Sequence, residues 1–252
     1  MDGSDTRRGL PCWYKNDDVQ LRAINDAVFV QHCPYLLLNK YFTKHYFHLP
    51  ALNWLNKMTV ITTTGQIMDL FCLLNGKPRF DAFTMDRVRL IARYKGAYPE
   101  FISPVLLALK FAKPNYVNTY KQAKLVLCEL GHYFGAQNDI LDCYGDPLIT
   151  GKVGTDIRDG KCTWLIAKAL EKATDNQMQM LKRYYGRPDF QSDLKIKSVY
   201  EQLNILEDFL AYEEESYNQI CKLIKEMPEE FPQDYFLKFV NALYGRNVFM
   251  SP

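Results

Sequence analysis

Apolar residues recur along most of the chain at the spacing of helices that bury one face. Between residues 17 and 47, Val19, Ile24, Ala27, Val28 and Leu36 follow that spacing, and Pro34 is expected to kink or divide the segment. A second helix is expected from Ala51 to Leu74, stopping at Gly76 with Pro78 beyond. A third covers about 83–112, interrupted near Pro99 and Pro104, and a fourth about 115–141. A polar, glycine-containing loop then runs from Gly145 to Gly160, and helices resume near Lys161. Thr174 followed by Gln177 fits a capping box and opens a helix that ends near Gly186. Residues 189–226 read as one long segment with Leu194, Val199, Leu203, Leu206 and Leu210 on one side, and a last short helix covers 233–243. No strand alternation, hairpin dipeptide or internal repeat stands out. The pattern predicts an all-α bundle.

Composition narrows the partners. At 252 residues the chain is long enough for one large domain or two small ones. Lys plus Arg number 31 against 29 for Asp plus Glu, which leaves no broad field for nucleic acid or a membrane surface; an anion site has to be local. The seven cysteines show no C-x-x-C spacing, and their odd number argues against a disulfide framework. A reducing, cytoplasmic compartment is the expectation. No run of ~18 apolar residues suggests a membrane span, and MDGSDTRRG lacks a signal-peptide core.

The chemistry concentrates in "GAQNDILDCYGDP". On a helix, Asn138 and Asp142 share a face, as do Asp139 and Asp142, and Asp142 and Asp146. Carboxylates at a helix C-terminus are disfavoured by the macrodipole. Two readings are open on spacing alone: a solvated helix end, or oxygens aimed at a hard cation such as Mg²⁺, which takes one or two carboxylates plus waters and substrate phosphates. "TGKVGTDIRDGKCTW" adds Lys152 and Lys161, "RYKGAY" adds Lys95, and "SDTRRG" adds Arg7 and Arg8. Carboxylates, paired arginines and isolated lysines on an apolar scaffold suit a diphosphate gripped by metal on one flank and cations on the other. His32 and Cys33 fall on an apolar helix and read as core; His45 and His48, with no third ligand nearby in sequence, read as surface.

These stretches, together with "ITTTGQIMDL" and "YEEESYNQI", resemble the isoprenyl diphosphate synthases of the farnesyl type over nearly the whole chain. The resemblance implies a single α-helical domain over residues 1–252, a Mg²⁺-dependent prenyltransferase that condenses an allylic prenyl diphosphate with isopentenyl diphosphate, and a homodimer. It implies metal groups at Asp139, Asp142 and Asn138 in the second aspartate-rich motif and at Asp2, the surviving end of the first. Arg7, Lys95, Lys152 and Lys161 would contact the allylic diphosphate and Arg8 the isopentenyl diphosphate. Thr62, Gln66 and the Lys95 carbonyl would line the carbocation.

The sequence departs from that pattern at several points. It opens inside the first D-D-x-x-D motif, so the domain is expected to be incomplete at its N-terminus and to expose apolar faces. Asn138 stands where aspartate is usual; a unit charge ~4 Å from the metal is worth about 4 kcal/mol at an effective dielectric of ~20. Gly135 replaces a usual Gln, Gly96 a usual Thr, and the end "YGRNVFMSP" carries only Arg246 where a basic tail is usual. Two alternatives follow from those changes: a terpene synthase that ionises an allylic diphosphate without condensation, and an inactive, regulatory homologue.

Overall fold

The computed structural model describes residues 5–112, 117–151, 153–228 and 231–245, with the backbone alone at 117–119. After a small hairpin, β1 (Thr6–Arg7) and β2 (Leu10–Pro11), the chain is helical. Helices α1 (Ala23–Tyr41) and α2 (His48–Leu70) are followed by a second hairpin, β3 (Leu73–Leu74) and β4 (Lys77–Pro78). Then come α3 (Met85–Ile91), a π-helical segment (Ala92–Ile102), α4 (Ser103–Ala112) and the long α5 (Val117–Tyr144). Two single turns, α6 (Pro147–Thr150) and α7 (Asp156–Asp159), lead into α8 (Trp164–Lys172), α9 (Asp175–Tyr184), α10 (Phe190–Gln202), α11 (Ile205–Lys225) and α12 (Gln233–Leu243). The all-α class is as expected; the differences from the sequence reading are local.

Both hairpins are tight type I′ turns, which need φ > 0 at both central residues. Asn75 and Gly76 sit at φ +50° and +73°, and Arg8 and Gly9 at +53° and +75°. Asn-Gly is the usual dipeptide for such a turn, so the expectation of no hairpin fails there; the apolar helical run leading into it obscured it. Pro34 lies inside α1 without dividing it, although its ring leaves Val30 without the usual N–H partner. The segment 189–226 is two helices rather than one, because Asn204 at φ +53° turns the chain between α10 and α11. The capping box at Thr174 and Gln177 forms as expected.

Helix α5 is the axis of the bundle. Its C-terminal half, with Ala136, Ile140 and Cys143, packs into a core shared with α3 and α8–α11. Its N-terminal half, with Val126, Leu127, Leu130 and Tyr133, packs with the π segment, α4, the end of α11 and α12. Two glycines set how closely the π segment is gripped. A Cβ on Gly131 of α5 would lie 2.1 Å from the Ala97 Cβ, and a Cβ on Gly65 of α2 would lie 2.4 Å from the Lys95 backbone nitrogen. The backbone at Lys95 is thus clasped between two helices. By contrast α1 buries no residue fully and leaves Ile24, Val28, Phe29, Leu36 and Leu37 exposed, with Val60 and Ile67 of α2 exposed as well.

This packing predicts opposite outcomes for two glycine substitutions. Gly131→Ala forces α5 off the π segment and is expected to cost roughly 1–3 kcal/mol, as overpacking does. A Cβ on Gly96 meets nothing within 4 Å, so Gly96→Ala is expected to be neutral or slightly stabilising. Urea midpoints for the two variants check this; equal midpoints would contradict the close contact.

Candidate active site

The C-terminal turns of α5 carry the acidic side of the site. Asp142 Oδ1 accepts the backbone N–H groups of Thr155 and Asp156, each at 2.9 Å. Asp139 Oδ2 accepts the N–H of Trp164 at 2.7 Å. Thr155 and Trp164 mark the starts of α7 and α8, where backbone donors have no intrahelical partner. The carboxylates that α5's own dipole disfavours are therefore held by the N-terminal donors of two other helices. The loop lies directly against them: a Cβ on Gly154 would fall 1.8 Å from the Asp142 carbonyl oxygen. Asp146 takes a different role, capping α6 through the N–H of Leu148 at 2.9 Å.

The cationic side is built around a carboxylate that the sequence reading did not single out. Asp69, on the last turn of α2, is buried. Its Oδ2 accepts a hydrogen bond from Lys95 Nζ at 2.7 Å and lies 3.7 Å from Lys161 Nζ. Lys95 comes from the clasped π segment. Lys161 follows Gly160, whose φ of +66° turns the chain out of α7, and Tyr185 donates to the Lys161 carbonyl at 2.6 Å. One oxygen thus gathers two ammonium groups from different elements.

A cavity of about 920 Å³ joins the two sides. Arg7, Asp69, Lys95 and Lys161 line it together with Asn138, Asp139, Asp142 and Asp156. Asn138 is exposed at its edge. Of the other sequence-based candidates, Arg8 sits at the hairpin tip, while Thr62 and Gln66 lie further up α2, and none of the three is among the described residues lining the cavity. Thr62 and Gln66 share a helical face with Asp69, but at 1.5 Å per residue they stand roughly 10 and 5 Å nearer the start of the helix. Asp2 and Lys152 lie outside the described residues. Asp69 occurs in "ITTTGQIMDL" and Asp156 in "TGKVGTDIRDGKCTW"; for Asp69 the available signal was an acid one turn beyond Gln66 on the same helical face.

The acidic wall is under electrostatic strain. Burial raises the Asp139 carboxyl well above the usual carboxylate range; Asp156, Asp142 and Asp69 push the same way, while the Trp164 N–H opposes them. Across the cavity Glu100 is also raised, chiefly by burial, with Arg7 acting against it. Crowded hard oxygens of this kind suit a divalent cation. Among the described residues no three acidic, His or Cys side chains come close enough to enclose a metal by themselves.

Fold and site together define a helical bundle with a cavity lined by both carboxylates and cationic side chains. The chain belongs to the polyprenyl synthetase family, whose model matches residues 1–203. Its relatives include the farnesyl pyrophosphate synthases of Gallus gallus (37% identical over 98% of this chain), Homo sapiens (38% over 98%) and Schizosaccharomyces pombe (40% over 98%). The chain spans 67%, 59% and 72% of the lengths of those three proteins. Among solved structures, Trypanosoma brucei farnesyl diphosphate synthase complexed with risedronate matches with a TM-score of 0.87 at 28% identity, covering all of this chain and 73% of that one. The minodronate complex of the same enzyme matches with a TM-score of 0.88 at 29% identity, covering 100% of this chain and 71% of that one.

The raised Asp139 carboxyl has a signed consequence for the metal-free protein. A carboxyl with a folded-state pKa above its unfolded value binds more protons when folded, so stability falls as pH rises from 3.8 through the raised value. Asp139→Asn keeps an oxygen for the Trp164 N–H and removes the charge. The variant is expected to melt above the parent at neutral pH, with the gap closing as pH falls toward 3.8. Thermal melts across that range check it, and a gap that widens in acid contradicts it.

Proposed function

We propose that this chain is a prenyltransferase of the farnesyl diphosphate synthase type, joining an allylic diphosphate to isopentenyl diphosphate. The observation that carries the reading is one cavity lined by Asp139, Asp142 and Asp156 and equally by Arg7, Lys95 and Lys161. Lys95 and Lys161 are aimed by Asp69 and bind the diphosphate oxygens; Arg7 adds a guanidinium on the hairpin side. Asp139, Asp142 and Asp156, with the neutral oxygen of Asn138, would hold Mg²⁺, and Asp2 would belong to the same set. Mg²⁺ held there would supply charge neutralisation for the departing pyrophosphate.

The chain's own residues do the rest. Fixed cations at the leaving group stabilise charge as the C–O bond breaks, without reorganising at the moment of reaction. Thr62, Gln66 and the Lys95 carbonyl are assigned to the side of the allylic cation, Lys152 to the allylic diphosphate and Arg8 to isopentenyl diphosphate. The exposed apolar residues of α1 and α2 support assembly as a homodimer. Seven cysteines, none in a disulfide, support a reducing, cytoplasmic setting.

Turnover with geranyl diphosphate tests the reading. With Mg²⁺ and isopentenyl diphosphate, farnesyl diphosphate is expected; chelating the metal is expected to abolish it. Lys95→Ala is expected to lower kcat/KM by about 100-fold or more, the scale of losing one preorganised donor. A hydrocarbon or alcohol formed without isopentenyl diphosphate contradicts condensation and supports the terpene-synthase alternative. No product from a folded chain contradicts both.

A further inference from the structure

The turn after α2 and the segment before α8 meet beside the main cavity. Asp69 Oδ2, on the last turn of α2, lies 3.7 Å from Lys161 Nζ. A Cβ on Gly160 would lie 3.4 Å from Leu73 Cδ2, so the two segments run close along their length. Each carries a cysteine at this meeting point. Cys72 is three residues beyond Asp69, and Cys162 follows Lys161. Their side chains are hydrogen-bonded to each other. Both belong to the core shared by α3, α5 and α8–α11, and both are free thiols.

The two sulfurs differ in access. Cys162 is among the residues lining the cavity of about 920 Å³, whereas Cys72, 1% exposed, is not. A small solute in the cavity meets Cys162, and Cys162 meets Cys72. The pair also shares its protons unevenly. The bond from Cys162 lowers the Cys72 thiol; burial and Asp69 oppose this, and Arg87 and Arg79 assist. The same bond, then burial, raises the Cys162 thiol. Such a dithiol gives up its first proton more readily than its second, leaving one proton between two sulfurs. Cys72 Sγ lies 3.4 Å from the Met68 carbonyl oxygen, an acceptor for that proton while Cys72 holds it. The charge is then on Cys162, at the cavity wall.

We propose that Cys72 and Cys162 form a reversible oxidation site, a dithiol that a small hydroperoxide such as hydrogen peroxide closes to a disulfide from the cavity side. The Cys162 sulfur attacks one peroxide oxygen, the O–O bond breaks, and the departing hydroxide takes a proton from solvent to become water. The Cys72 sulfur then attacks the sulfur of the Cys162 sulfenic acid. The S–S bond forms, the S–O bond breaks, and the hydroxyl leaves with the Cys72 proton as a second water. Two thiols are oxidised to one disulfide while one peroxide is reduced to two waters. In a reducing setting the dithiol is the resting form, and thiol exchange restores it. The cross-link joins the two segments that carry Asp69 and Lys161.

The reduced full chain is exposed to hydrogen peroxide at neutral pH, its remaining thiols are alkylated, and its peptides are mapped by mass without reduction. A Cys72–Cys162 linked peptide is expected to appear about 10-fold faster or more than any product at the other five cysteines, including Cys12, which also lines the cavity. Dithiothreitol is expected to remove it. Cys72→Ser is expected to leave a sulfenic acid at Cys162 that dimedone traps, and Cys162→Ser to leave Cys72 unoxidised. The linked peptide of the parent chain is read without any variant, so a serine variant that misfolds by circular dichroism leaves the test standing. Linkage of Cys162 to another cysteine, or Cys72 and Cys162 both still alkylated once Cys12 is consumed, overturns the pairing. Dimedone trapping at Cys72 in a folded Cys162→Ser chain overturns the order of attack.

Discussion

One carboxylate oxygen, Asp69 Oδ2, holds the cationic wall of the site together. Two ammonium groups brought to the same spot from the π segment and from the loop before α8 would repel each other. A buried carboxylate between them turns that repulsion into a fixed pair of donors. A buried acid left without its partners is costly, which ties the geometry of Lys95 and Lys161 to the position of α2. Lys95 is not free to move toward Asp69 by itself either, because Gly65 and Gly131 bring α2 and α5 into contact with the π segment around it. The site's cations are placed by backbone packing and held by one short ion pair.

The acidic wall is organised by a different device. Asp139 and Asp142 each spend an oxygen on backbone donors at the start of another helix. Those bonds fix the direction of the carboxylates and draw the loop after α6 over the end of α5. The remaining charge is crowded: Asp156, Asp142 and Asp69 all oppose ionisation of Asp139. A folded protein that keeps such a cluster gives up stability in the absence of a cation. Fixed cations and crowded carboxylates line one cavity, the arrangement on which the proposed diphosphate and metal site rests.

Much of this was legible in the chain, and the misses have physical causes. Helix α12 begins and ends where its apolar spacing said, and the Thr174 capping box forms because both halves of it are local. The break at Asn204 was invisible because apolar periodicity runs through it; what matters there is a left-handed residue, and Asn tolerates that conformation. The π segment was equally hidden, since a change of hydrogen-bond register leaves no mark in residue type beyond Pro99. In the site, Asp139 and Asp142 stood out by spacing, whereas Asp69 did not. Its importance comes from burial against two lysines distant in sequence, a tertiary fact. Arg7 and Arg8 look alike in sequence, yet a type I′ turn separates them, leaving Arg7 on the cavity and Arg8 at the tip.

The most direct test of the two-walled cavity is calorimetric binding of inorganic pyrophosphate to the full chain, with and without Mg²⁺. The charge arrangement predicts one pyrophosphate per chain only when Mg²⁺ is present. It predicts loss of that binding both when the acidic wall is altered by Asp142→Asn and when the cationic wall is altered by Lys161→Ala. Binding that persists without the metal, or that responds to one wall and ignores the other, would contradict a single ligand held between them.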